Sequence, residues 1–91
     1  MHEVDSRLAA IAERFAAQAG ETATAIAASL AREDWAELSR LSHSLAGRAG
    51  MFGHGAVGEA ARAVEEAIDG GRPTAHIAGL TQALLGQLAA M

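Results

Sequence analysis

Apolar residues return every three or four positions along almost the whole chain, the spacing that gathers them on one stripe of a 3.6-residue helix. Four stripes can be read in this way. The first runs through Leu8, Ile11, Phe15, Thr22, Ile26 and Leu30, with Asp5 placed to cap its start. Gly20 weakens the middle of that run, so a bend or break is expected near Gly20 and Glu21. The second stripe is Leu38, Leu41, Leu45, Ala49 and Phe52, opened by Asp34 as an N-cap and closed near Phe52, where Gly53, His54 and Gly55 introduce flexibility. His54 reads as a loop or cap residue. Val57, Ala60, Ala61, Val64 and Ile68 form the third, which Gly70 and Gly71 end through a left-handed C-cap. On that helix Glu59, Glu65, Glu66 and Asp69 are left to face mainly solvent. Pro73 suits the first turn of a last helix carrying Ile77, Leu80, Leu84, Leu88 and Met91. The pattern predicts an all-α fold, an antiparallel four-helix bundle in a single domain over residues 1–91. The long N-terminal segment leaves material for an extra short helix covering one end.

Composition narrows what such a bundle can do. The chain has 91 residues, 51% of them hydrophobic, enough to close one core but not to build a large enzyme. Much of that content is alanine, with two Phe, one Trp and no Tyr, which favours closely packed helices over strands. There is no cysteine, so disulfides and thiolate zinc sites are excluded. His2, His43, His54 and His76 are scattered without an i, i+4 pair, and no intrinsic metal is expected. A net charge of −4 with no basic cluster argues against nucleic acid. No apolar run approaches the roughly 20 residues that span a bilayer, and MHEVDSR lacks the features of a signal peptide, so a cytoplasmic location without a membrane partner is expected. The chain has no GxxxxGK[ST] loop and no recognisable nucleophile–base pair or carboxylate dyad; no intrinsic cofactor and no self-contained enzyme activity are expected.

The chemistry that remains centres on His43. On a helical wheel it points away from the second stripe, among Ala36, Ser39, Arg40, Ala46, Gly47 and Gly50. Only Arg40 has bulk. Each glycine inside a helix costs roughly 1 kcal/mol relative to alanine, and close approach by another surface is one reason to keep two of them beside a nucleophile. A surface histidine is ordinarily just solvated, and small residues abound in this composition. The local string tips the balance.

From His43 the chain reads HSLAGRAGMFG, followed at helical intervals by Val57, Ala61, Val64 and Glu65. This resembles the histidine phosphotransfer (HPt) domain of multistep phosphorelays. Leu45, Gly47, Ala49, Phe52 and Gly53 fit the pattern, and Phe15, Asp34 and Trp35 fit upstream, so the resemblance covers roughly residues 8 to 69. It implies that His43 accepts and donates a phosphoryl group at Nε2, as a carrier and not as the catalyst. It also implies a histidine kinase and a response-regulator receiver domain as partners, the receiver bringing an acceptor aspartate and Mg²⁺. The small face around His43 would then be the docking surface, on a protein able to work as a monomer. One departure stands out: Ala46 occupies the place where the family usually carries lysine. Arg48 lies about 140° away from His43 around the helix and cannot replace it, which leaves Arg40 or the partner to supply the charge. The segment AGMFG also suits the phosphotransfer domain of a chemotaxis-type kinase. The phosphoacceptor hairpin of a sensor kinase is disfavoured, because Ser44, Leu45 and Ala46 follow the histidine where an acidic residue and soon a proline would be expected. From a different class, the alternative is a helical adaptor or inhibitor that binds a kinase or receiver through the same face without phosphate.

Overall fold

A computed structural model describes residues 2–91, with side chains described for residue 7 and residues 9–91. The elements are α1 (His2–Ala17), α2 (Ala19–Ala31), α3 (Trp35–Met51), α4 (Gly55–Asp69) and α5 (Thr74–Ala89). Among the described residues there is no strand. α3 packs on α4, α4 on α5, α5 on α2 and α2 on α3, so the four longest-buried elements close a ring around one core. This is the bundle the hydrophobic pattern predicts, and the additional N-terminal helix is α1. Asp5, the expected cap, lies inside α1, which already runs from His2, so it does not start the helix; the side chains of Asp5 and of Leu8, the expected first core residue, are outside those described.

α1 has 16 residues and is longer than the expected cover. It is interrupted from α2 at Gln18 and not at Gly20, which sits inside the first turn of α2. The Gln18 N–H still donates to the Arg14 carbonyl at 2.9 Å, and the Thr22 N–H to the Gln18 carbonyl at 3.0 Å, so helical bonding runs on through the junction. Phe15 and Ala19, on either side, are both drawn into the core, while Ile11 remains 44% exposed. Burial of those two residues fixes where the interruption falls; a glycine only permits one.

Three of the turns share one device. After α3, the His54 N–H reaches back to the Ala49 carbonyl with Gly53 at φ +79°; after α4, Arg72 reaches Ala67 with Gly71 at φ +66°. These are Schellman closures, which need a left-handed residue just past the helix. After α2 the same role falls to Glu33 at φ +53°, while Asp34 donates its N–H to Ser29. Asp34 then starts α3, its side chain accepting the Glu37 N–H at 3.2 Å. One residue both closes α2 and caps α3. Pro73 is the N-cap of α5, one position before the expected first turn.

Ile26, Leu38, Leu45, Val64 and Leu84 fill the core with little or no exposure, joined by Ala49, Ala61 and Val57. Alanine and glycine decide how close α3 and α4 come. A Cβ placed on Gly58 would lie 3.5 Å from the Ala46 carbonyl oxygen, 3.7 Å from the Ala49 Cβ and 3.7 Å from the Gly50 nitrogen. Backbone therefore passes almost against backbone at this crossing. Buried hydroxyls at Ser29 and Thr81 bond to carbonyls four residues earlier, whereas the buried Ser42 Oγ has no partner.

Candidate functional site

Asp34 starts α3 and Gly53 ends it, and between them the Leu38, Leu45 and Ala49 stripe turns that helix against the core. His43 is thereby held in the middle of the outer face, its side chain 77% exposed. Ala36, Arg40, Gly47 and Gly50 are exposed around it and Ser39 is half-buried. A Cβ added at Gly47 or at Gly50 would meet nothing within 4 Å. Neither glycine is needed for packing inside the domain. What they leave is a bare strip of helix backbone running from His43 toward the α3–α4 turn, with Met51, 76% exposed, beside its lower end.

Ala46 does not belong to that strip. It is 6% exposed, and the expectation that it lines the outward face is corrected. The reason is geometric: position 46 turns about 60° from His43 toward α4, and the close crossing at Gly58 covers it. Ser42, buried next to His43 in sequence, faces inward on the same side.

A second correction concerns Glu65. The alternation on α4 reads it as a solvated residue, yet its side chain is only 23% exposed and its Oε2 lies 2.7 Å from His43 Nδ1. A carboxylate only accepts, so a hydrogen bond across this contact requires the tautomer with the proton on Nδ1. The lone pair is then left on Nε2, the nitrogen that points to solvent. An ionised partner makes such a contact shorter and stronger than a neutral one and favours one ring orientation and one tautomer. The Glu65–His43 contact is a consequence of antiparallel packing. Only the register between α3 and α4 brings residues 22 apart together; in the sequence, its trace is Glu65 beside Val64 in the helical series of Val57 and Ala61 that follows the histidine string.

Arg40 is engaged elsewhere. Its Nε lies 2.7 Å from Glu37 Oε1 and its second nitrogen 2.8 Å from Glu37 Oε2, a bidentate pair along one turn of α3. The hydrogen bond from Arg40 holds the Glu37 carboxyl below the usual carboxylate range, and the same bond to Glu37 raises the arginine in turn. Arg48 lies on the far side of α3, over the Phe15 ring at 5.7 Å. There Phe15 also packs on Phe52 and His54, with ring centres 5.6 and 5.4 Å apart, so His54 serves the α1 junction and starts α4.

Among the described residues, His43 lines none of the three main surface cavities. A surface cavity of about 460 Å³ lies between the α3–α4 turn and the end of α5, lined by Gly53, His54, Val57 and Met91, and His43 does not border it. Among the described residues no helix is long and apolar enough to cross a membrane. The arrangement is a convex, small-residue face carrying one oriented nucleophile, suited to presentation into a partner's pocket.

Comparison with protein families finds one model, described as the Hpt domain, that matches residues 10–91. No curated protein and no solved structure gives a match.

Proposed function

The chain belongs to the Hpt domain family, and from that premise we propose that His43 is the residue that carries a phosphoryl group between a histidine kinase or phosphorylated receiver and the aspartate of a response-regulator receiver. Hpt domains act in two-component phosphotransfer as phosphocarriers, not as enzymes. The observation that supports the assignment is an imidazole whose side chain is 77% exposed and whose Nδ1 lies 2.7 Å from Glu65 Oε2.

The transfer follows from that geometry. The Nε2 lone pair attacks phosphorus, and the bond from phosphorus to the donor oxygen breaks, its electrons leaving with the carboxylate of a receiver or with ADP on a kinase. The ring becomes an imidazolium whose Nδ1 proton stays against Glu65, so the carboxylate offsets the new charge. On the return step the receiver aspartate attacks phosphorus, the P–Nε2 bond breaks, and its electron pair goes back to Nε2. The neutral imidazole is regenerated with its proton where it began. The partner supplies the in-line acceptor and Mg²⁺; this domain supplies orientation and access.

Access explains the bare strip. A receiver must bring its aspartate within bonding distance of the phosphoryl group, and Ala36, Ser39, Arg40, Gly47 and Gly50 form the surface it would meet, with no side chain at 47 or 50 to hold it off. A cytoplasmic monomer suits such a carrier.

Incubation with Mg²⁺-loaded, phosphorylated receiver domains, followed by intact mass and acid treatment, tests the proposal. An acid-labile phosphate on the parent that is lost in His43→Gln is expected. Binding to receivers without any phosphohistidine would replace the carrier by a phosphate-independent adaptor using the same face.

A further inference from the structure

A phosphoryl group on Nε2 adds a charge of about −1.5 to −2 next to the carboxylate of Glu65, so the site needs a cation once it is loaded. The obvious one on α3, Arg40, has its guanidinium closed on both oxygens of Glu37. The register between α3 and α4 brings a different one to the site. Ser39 lies by Asp69, with Oγ to Oδ1 at 3.5 Å, and His43 by Glu65. Gly58 lies against Ala46, Ala49 and Gly50. Each step forward on α3 corresponds to one step backward on α4, so three residues on from the His43 and Glu65 pair Arg62 comes opposite Ala46.

Arg62 is exposed and stands one helical turn from Glu65, where side chains three apart start about 5–6 Å from each other. Opposite it, α3 presents only the buried methyl of Ala46, so no side chain from α3 occupies the space between the arginine and the outer face of His43. Glu59, Glu65 and Glu66 lie within one turn of Arg62 on α4. Among the described residues none of them is within ion-pair distance of it, and Glu65 is turned to His43. The guanidinium is therefore uncommitted, and its planar fork matches two phosphoryl oxygens.

We propose that Arg62, reaching across from α4, is the cation that binds the phosphoryl group on His43. It thereby provides, from the neighbouring helix, the positive charge that α3 lacks at Ala46. This rests on His43 being the phosphoryl carrier, and it assigns a residue that neither the histidine string nor the face of α3 contains.

Phosphoramidate tests it without a partner protein. Nε2 attacks phosphorus, the P–N bond of the reagent breaks and ammonia leaves, so the loading rate reads this domain alone. The parent, Arg62→Ala and Arg62→Lys are compared by loading rate and by ³¹P titration of the phosphohistidine. With the arginine removed, loading should slow by about ten-fold and the phosphoryl group should titrate at higher pH, with Arg62→Lys restoring part of both. A substitution that merely altered helix stability would not move the ³¹P titration. Phosphohistidine forming on Arg62→Ala at the parental rate and with the parental titration overturns the inference while leaving the carrier role intact. No phosphohistidine on the parent overturns the carrier role and the inference together.

Discussion

Two charge contacts on α3 sit one turn apart and do opposite jobs. Arg40 and Glu37 meet along a single turn, both exposed, in a geometry any isolated helix would allow. His43 and Glu65 meet across two helices, and their contact exists only because the core sets the register of α3 against α4. The first pair is local, solvated and of little consequence to stability. The second links packing to chemistry, since a carboxylate beside Nδ1 favours the tautomer whose free nitrogen is Nε2. A shorter or better-formed contact is not the more informative one. What matters is how much of the fold has to be right before the contact can form.

Breaking the inter-helix contact should have the largest effect. Glu65→Gln keeps the size of the side chain but can no longer offset the imidazolium or force the proton onto Nδ1. Transfer from a phosphorylated receiver is expected to fall on the order of ten- to a hundred-fold, the scale known for carboxylates that orient metal-ligating histidines, with circular dichroism unchanged. A parental transfer rate would mean that the contact is ornamental. Gly58→Leu attacks the same contact from the packing side: it forces α4 away from Ala46 and Ala49 and should cost about 1–3 kcal/mol in denaturant melts while slowing transfer.

Gly47 separates stability from access. Because a Cβ there meets nothing, Gly47→Ala should stabilise the domain by up to about 1 kcal/mol, read as a shift in the urea midpoint. Gly47→Gln should keep the helix and slow receiver transfer, as should Gly50→Gln. Equal transfer rates in parent and both glutamine variants would remove the steric reading of the bare strip.

The smallest effect is expected at the local pair. Glu37→Gln should leave the melting temperature at neutral pH within error of the parent. The sign of any pH dependence is fixed: a carboxyl whose folded pKa is lowered, chiefly by the hydrogen bond from Arg40, favours the fold above its ordinary range. That contribution disappears as pH falls through the lowered value. Any small gap between parent and Glu37→Gln should therefore close in acid, and a gap that opens on acidification would contradict the pairing.

The same contrast explains what could be read in the sequence. The caps at Asp34 and Gly71, most of the buried stripes and the outward direction of His43 depend on helical period and turn chemistry within a few residues and are legible; Ile11 and Met91, read as stripe residues, are instead 44% and 37% exposed, Met91 lying beyond the end of α5. Ala46 was misread because a wheel has no neighbour on it: an angle of about 60° from His43 is outward on an isolated helix and inward when α4 passes at the distance Gly58 permits. Glu65 was assigned to solvent for the same reason. The interruption at Gln18 depended on which of Phe15, Ala19 and Gly20 the core would claim, and burial outweighed glycine's flexibility. A left-handed residue was foreseeable at the two glycines but not at Glu33, which carries no sign of it.

The crossing at Gly58 also bears on the order in which the molecule assembles. α3 and α4 are joined by three residues and closed by a Schellman turn, so their contacts link positions near in sequence and cost little loop entropy to form. Closing α2 against α5 spans most of the chain. The hairpin that brings His43 to Glu65 thus rests on contacts local in sequence, whereas the α2–α5 seam does not.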